Sequence, residues 1–202
     1  MRSDRLLALT DGVIAVIITI MVLELKPPEG TDPAALAHLG LVFLSYFLSF
    51  VYVAIYWNNH HHFFHLAPQV DGAVLWANFG LLFWLSLIPF ATAWAGEHPF
   101  APLPTALYGA SLFMTALAWY TMQTVIIREQ GPESPLRAAL GRDLKGKASP
   151  FLYFAGIGMA FVSPVVSYLI YAGVALMWLI PDRRVSRASA PETGSVQPAP
   201  RL

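Results

Sequence analysis

The chain has 202 residues, of which 56% are hydrophobic and only 12% are charged. A typical soluble domain carries about 25% charged residues, so this composition, with a mean hydropathy of +0.57, excludes an ordinary soluble domain and indicates a membrane protein. The absence of cysteine excludes a disulfide framework and a thiolate metal site, and the net charge of zero conceals a strong asymmetry along the chain.

Residues 6–23 predict the first membrane span. The segment carries a single charge, Asp11, and at about 1.5 Å per residue it is long enough to cross a hydrocarbon core of roughly 30 Å. A carboxylate inside a span is costly and is usually retained because it has a partner and a role. Asp11 is therefore the first candidate functional residue.

A polar connector and a second span follow. Residues 26–38 predict the connector, because a Pro-Pro pair stops the first helix. The second span is predicted at residues 39–57, and it continues into a polar cluster at residues 58–65 that contains four histidines.

The third and fourth spans surround a short turn. The third is predicted at residues 72–95, with Asn78 near its start and Pro89 as a kink near its end. The fourth is predicted at residues 105–127. Residues 128–147 form the most charged segment of the chain, and we expect an aqueous loop there that could hold one helical turn.

Residues 150–180 contain no charge, and their length fits one crossing or two short crossings on either side of Ser163-Pro164. The basic residues favour two crossings. With six spans, eleven of the twelve Lys and Arg residues share one side with both termini, and only Lys26 lies opposite; five spans would violate the positive-inside tendency. The eleven are Arg2, Arg5, Arg128, Arg137, Arg142, Lys145, Lys147, Arg183, Arg184, Arg187 and Arg201.

The sequence therefore predicts an all-α, polytopic membrane protein with six transmembrane helices and both termini in the cytoplasm. Residues 1–182 are expected to form one transmembrane domain. Residues 183–202 are rich in Ser, Ala and Pro and lack an apolar face, so we expect a disordered cytoplasmic tail.

Polar residues of the first three spans are expected to meet near the cytoplasmic side. Arg5 and Asp11 lie about 240° apart around the helix and cannot pair with each other, so each needs a partner on another helix. The cluster is either a static clamp that holds three helices together or a proton-sensitive gating element that uses histidine near neutral pH. Its predicted members are Arg5, Thr10, Asp11, His60, His61 and Asn78.

The histidine run suggests a metal site, because His61 and His65 stand at positions i and i+4 of a helix. No glutamate lies between them as in H-E-x-x-H, and no cysteine is available, so we predict no metal site. The sequence also lacks a nucleophile elbow, a Walker A motif and a dinucleotide fingerprint. We therefore expect neither an enzyme nor a cofactor, and no nucleic-acid partner. The missing T-V-G-Y-G segment excludes a potassium channel of the usual filter type.

An apolar stripe runs along the first helix. Val16, Ile20 and Leu23 lie within about 60° of arc, with Thr19 beside them. Such a stripe is normally packed or faces lipid. If the helix lines a symmetry axis, however, a ring of these side chains becomes a constriction that can close a pore by expelling water.

Five motifs stand in order along nearly the whole chain. They are Arg5 followed after three residues by Leu9-Thr10-Asp11, then Trp57-x-x-His60-His61, Asn78 with Pro89-Phe90, Phe161-Val162-Ser163-Pro164, and Ile180-Pro181-Asp182-Arg183-Arg184. Together they resemble the endolysosomal potassium channel family and its prokaryotic members, whose first helix opens with R-x-x-x-F-S-D. This chain departs from that pattern at Leu9, at Thr10, and at Val16, where isoleucine or leucine is usual.

The resemblance implies a six-helix subunit of a homotetramer in the bacterial inner membrane, with the first helices lining a central potassium pore. The family's apolar constriction falls on Val16, Ile20 and Leu23, with Thr19 close to it. We therefore expect a passive potassium-permeable cation channel whose partners are potassium ions and membrane lipids. The alternative is a proton-coupled secondary transporter that uses Asp11 and the His60/His61 cluster.

Overall fold

The computed structural model describes residues 3–28 and 30–179, and within them the chain forms nine α-helices. The all-α prediction is confirmed. The predicted tail, residues 183–202, lies outside the described residues. The helices are α1 (Asp4–Leu23), α2 (Pro33–His38), α3 (Gly40–His65), α4 (Gly72–Ser86), α5 (Ile88–Glu97), α6 (Pro102–Gln130), α7 (Pro135–Leu140), α8 (Leu144–Met159) and α9 (Pro164–Leu179).

Four helical segments of the described chain are long and apolar enough to cross a membrane, and they coincide with the first four predicted spans. The third segment consists of α4 and α5 in series, with a break at Leu87. Pro89 explains the break, because it lacks an N–H group and its ring crowds the carbonyl four residues earlier. The segments are Asp4–Leu23, Gly40–His65, Gly72–Glu97 and Pro102–Gln130.

The uncharged stretch at residues 150–180 contains a helix break where the sequence predicted one. The helices α8 and α9 have 16 residues each and pack against each other, and Pro164 is the first residue of α9. Each helix is about 24 Å long at 1.5 Å per residue. The number of membrane crossings in this half of the chain stays a prediction.

Three parts of the chain meet at one end of the helical bundle. The backbone N–H of Ser3 donates to the carbonyl of Pro68 at 3.1 Å, which places the start of α1 against the connector between α3 and α4. The Nε2 atom of Gln130, the last residue of α6, donates to the carbonyl of Leu66 in the same connector at 2.6 Å. The start of α1, the connector between α3 and α4, and the end of α6 therefore share one end of the bundle.

The last turn of α9 lies at this same end of the bundle. The indole N–H of Trp178 donates to Oγ of Ser149 near the start of α8 at 2.8 Å. At the opposite end Nζ of Lys26 lies 2.6 Å from Oε1 of Glu97, and this contact raises the pKa of Lys26 above its ordinary value. Among the described residues the charge asymmetry is thus built into the fold, with Lys26 opposite Arg5, Arg128, Arg137, Arg142, Lys145 and Lys147.

The segment at residues 128–147, expected to be a loop, is more helical than predicted. It contains the end of α6, all of α7 and the start of α8. Ser134 caps α7 by accepting from the N–H of Arg137, and Asp143 caps α8 by accepting from the N–H of Gly146. Such caps stabilise helix ends. Helix α7 has only six residues, which is too few for hydrophobic periodicity to identify a helix.

Helix α1 is the element that positions the candidate site. It packs against α3, α4 and α5. One apolar cluster joins α1 to the second half of α3, to α4 and to the ends of α6 and α7, and a second cluster joins α3, α5, α6, α8 and α9. Apart from the partly buried Leu7, Val13 and Ile18, the rest of the α1 surface is exposed in the single subunit.

Candidate functional site

Helix α1 has a buried face and an exposed face. The buried residues recur at steps of three and four along the helix, which places them on one side. The side chain of Thr10 is fully buried among them. The buried set is Leu6, Thr10, Ile14, Ile17 and Met21.

The predicted constriction residues lie on the exposed face. Val16, Ile20 and Leu23 are 54%, 41% and 79% exposed, and Thr19 between them is also exposed. The hydroxyl of Thr19 donates to the carbonyl of Val16 at 2.8 Å, so its hydrogen is already engaged. An apolar stripe of this kind on a membrane subunit faces lipid, another subunit or a pore.

A buried hydrogen-bond chain ties α1 to two other helices. The Nδ2 atom of Asn78 on α4 donates to Oγ1 of Thr10 at 3.1 Å. The Oδ1 atom of Asn78 lies 2.8 Å from Nε2 of His60 on α3. Because an amide oxygen can only accept, Nε2 of His60 is the donor. All three side chains are at most 2% exposed, so water cannot replace these bonds.

A second polar layer lies on the surface beside that chain. The indole N–H of Trp57 on α3 donates to Oδ1 of Asp11 on α1 at 2.8 Å. The ring of Trp57 stacks on the ring of His61, with 6.4 Å between centroids, and Nε2 of His61 lies 3.0 Å from Nε2 of His65. Asp11, Trp57, His61 and His65 are all exposed in the single subunit.

The structure therefore divides the predicted polar cluster. Thr10, His60 and Asn78 come together in the buried layer, whereas Asp11 and His61 belong to the surface layer. Arg5 is exposed and makes no ion pair or side-chain hydrogen bond within the described chain. Trp57 is a member of the surface layer that was not predicted, although its position four residues before His61 was a usable signal.

A third polar network, which was not predicted, lies deeper in the bundle. The hydroxyl of Thr92 on α5 donates to Oγ of Ser49 on α3 at 2.7 Å, and Oγ of Ser49 lies 3.0 Å from the hydroxyl of Tyr108 on α6. The hydroxyl of Tyr52 on α3 donates to the carbonyl of Tyr171 on α9 at 2.5 Å. These bonds join α3 and α5, which pack against α1, to α6 and α9, in an interior where lipid offers no hydrogen bonds.

The geometry offers ties between helices rather than a reaction centre. Within residues 3–28 and 30–179, no group of three or more metal-ligating side chains converges. The carboxylate of Asp11 faces an indole N–H, which can donate a hydrogen bond but cannot accept a proton. What the arrangement can do is fix the rotation of α1, and thereby the direction in which its apolar stripe faces.

Comparison with known proteins identifies relatives over most of the chain. The family model described as endosomal/lysosomal potassium channel TMEM175 matches residues 5–89. A potassium channel of Chryseobacterium sp. is 49% identical over 188 residues, which is 93% of this chain and 98% of that protein. A potassium channel of Streptomyces collinus is 28% identical over 190 residues, covering 88% of this chain and 91% of its own length.

A solved structure has the same fold. The crystal structure of a lysosomal potassium-selective channel TMEM175 homolog from Chamaesiphon minutus superimposes with a TM-score of 0.78 and 25% sequence identity. The match covers 89% of this chain and 97% of that one.

Proposed function

We propose that this chain, which belongs to the TMEM175 potassium channel family, conducts potassium passively across a membrane. It is a multi-pass membrane protein of a family of channels rather than enzymes. The observation that carries the proposal is the 49% identity with a bacterial potassium channel over nearly the full length of both proteins.

The proposed pore is formed by the first helices of four copies around a common axis. The support is that α1 is packed on one face only, so that a stripe containing Val16, Ile20 and Leu23 is left exposed in the subunit. Three apolar rings of four side chains each, stacked along an axis, would exclude water when narrow and would let a partly dehydrated ion pass when wider. Thr19 would add its hydroxyl oxygen close to this constriction.

The buried chain from Thr10 through Asn78 to His60 is proposed to set the pore width. It lies on the face of α1 away from the apolar stripe, so fixing one face of the helix fixes the other. The bond from Trp57 to Asp11 is a second tie, one residue further along α1. Arg5 and His61 would act from the surface of the same region.

The proposed location is the bacterial inner membrane with both termini in the cytoplasm. The support is the distribution of charge, because residue 3 and residue 179 lie at the end of the bundle that carries most of the described basic side chains. Cytoplasmic segments of membrane proteins are enriched in Lys and Arg.

The hydrogen bonds favour a channel over a proton-coupled carrier. A carrier would need Asp11 to exchange protons with His60 or His61. The structure gives Asp11 a tryptophan partner and gives Nε2 of His60 an amide oxygen, neither of which passes a proton on. Asp11→Asn separates the two functions, because a carrier should lose pH-driven uptake whereas a channel should keep potassium current.

Potassium flux into liposomes tests the proposal, together with the mass of the assembly in nanodiscs. Ile20→Ala and Leu23→Ala should each raise flux at least about threefold, which corresponds to roughly 0.7 kcal/mol off the barrier. Val22→Ala is the matched control, since Val22 is an exposed apolar residue of α1 that lies about 100° from Leu23. Folded protein without flux, or a monomeric mass, would count against the proposal.

A further inference from the structure

A basic pocket lies at the end of the bundle that carries residue 3. It is a concavity of about 240 Å³ between the end of α6, α7 and the start of α8. Its lining includes three cationic side chains, those of Arg128, Arg137 and Lys147, and one carboxylate, that of Asp143. Each of the three cations comes from a different helix, so the pocket exists only in the folded chain.

The positive charge of this pocket is not neutralised from within. Arg128, Arg137 and Lys147 are exposed, and none forms an ion pair with another described residue. Asp143 is already engaged, because its two oxygens accept hydrogen bonds from the side chain of Gln123 at 2.9 Å and from the N–H of Gly146 at 3.0 Å. Three cations against one carboxylate leave a net positive concavity suited to an anion.

The walls of the pocket continue into apolar surface on α8. Phe151 and Phe154 follow Lys147 at steps of four and three, so they lie on the same face of the helix. They are 77% and 69% exposed. Lys147 therefore lies at one end of an apolar stripe on α8.

Helix α6 repeats this pattern on the other wall. Tyr120 and Thr124 precede Arg128 on one face and line the same pocket. Higher up, the rings of Phe113 on α6 and Phe154 on α8 approach to 6.3 Å between centroids. A polar anion would use only the floor of this site, whereas an amphiphile would use the floor and both walls.

We propose that this pocket binds an anionic phospholipid. Arg128 and Arg137 would hold the phosphate oxygens through their guanidinium forks, and Lys147 would add a point charge. The acyl chains would lie along the exposed aromatic side chains of α6 and α8. Basic pockets beside membrane-spanning helices recognise anionic head groups in this way.

The test uses the full chain in phosphatidylcholine nanodiscs. The sample is titrated with dioctanoyl phosphatidylglycerol, dioctanoyl phosphatidylcholine or inorganic phosphate, and native mass spectrometry counts the bound molecules. Arg128→Gln, Arg137→Gln and Lys147→Gln should each weaken phosphatidylglycerol binding about fivefold. Lys147→Arg should keep it. Arg142→Gln is the matched control, because Arg142 is exposed on the same segment but does not line the pocket.

The proposal is supported if the preference for phosphatidylglycerol is lost in Arg128→Gln, Arg137→Gln and Lys147→Gln but kept in Lys147→Arg and Arg142→Gln. Equal binding of the two lipids by the unaltered protein overturns it. Binding of inorganic phosphate as tight as that of phosphatidylglycerol also overturns it, since the site would then be a simple anion site. Potassium flux is not part of this measurement, so the outcome is independent of the proposed conduction.

Discussion

Replacing Asn78 by leucine is the sharpest test of the buried tie on α1. Leucine has a similar volume but cannot form a hydrogen bond. The substitution removes the donor to Oγ1 of Thr10 and the acceptor for Nε2 of His60 in one step. Both groups then stay buried without a partner, because neither residue is more than 2% exposed.

The expected cost follows from these two orphaned groups. A buried polar group left unsatisfied costs about 1–3 kcal/mol, while hydrogen bonds between membrane helices average about 0.6 kcal/mol with a maximum near 1.7. Two such losses give about 1–3 kcal/mol for Asn78→Leu. At about 2–4 °C per kcal/mol for a chain of this size, the melting midpoint should fall by roughly 2–12 °C.

Thermal unfolding of the purified protein in detergent, followed by circular dichroism, measures this shift. Asn59→Leu is the control, because the side chain of Asn59 donates only to the carbonyl of Ile55, which keeps its helical N–H partner. It should lower the midpoint far less. Thr10→Val combined with Asn78→Leu should cost less than the sum of the two single variants, since the valine removes one orphaned group.

Two results would refute this reasoning. One is an Asn78→Leu protein with the same melting midpoint as the unaltered chain, which would mean that the buried bonds contribute nothing to stability. The other is strict additivity of the Thr10 and Asn78 substitutions, which would mean that the two side chains do not interact. Potassium flux through the Asn78→Leu protein, measured below its melting midpoint, should also change if the tie sets the rotation of α1.

Two further substitutions test packing and the surface tie. Gly156→Ala should have a free energy of unfolding about 1–3 kcal/mol lower than Gly158→Ala, and therefore a lower melting midpoint. An added Cβ at Gly156 overlaps the buried ring of Tyr171, while nothing lies within 4 Å of one at Gly158. Equal melting midpoints would contradict this. Trp57→Phe keeps an aromatic ring but removes the N–H that Asp11 accepts, so liposome potassium flux should change by at least about twofold, roughly 0.4 kcal/mol in the barrier, and unchanged flux would exclude a role for that bond.

The sequence was sufficient to place the four helical segments that are long enough to cross a membrane. Long stretches with few charges located the first four spans, and a Pro-Pro pair marked the end of α1. The Ser163-Pro164 break located the turn between α8 and α9. These features depend on local chemistry, because lipid excludes charge and proline excludes a continued helix. The short helices α2 and α7 have six residues each and are capped by Asp32 and Ser134, and six residues are too few for hydrophobic periodicity to identify a helix.

The sequence could not decide which way α1 faces. Its residues are apolar on every side, so hydrophobic periodicity does not mark the buried face. Thr10 and Asp11 are neighbours in the chain, yet they point about 100° apart. Only packing against α3 and α4 places Thr10 against Asn78 inside the bundle and Asp11 against Trp57 on its surface.

The sequence also could not predict the basic pocket, because its three cations lie on different helices. Arg128, Arg137 and Lys147 are recognisable in the sequence as one charged segment, and their positions contribute to the topology that charge predicts. Their convergence on a single concavity depends on how α6, α7 and α8 pack. Residue type and spacing determine what each helix can contact, whereas the contacts between helices determine which of those possibilities is realised.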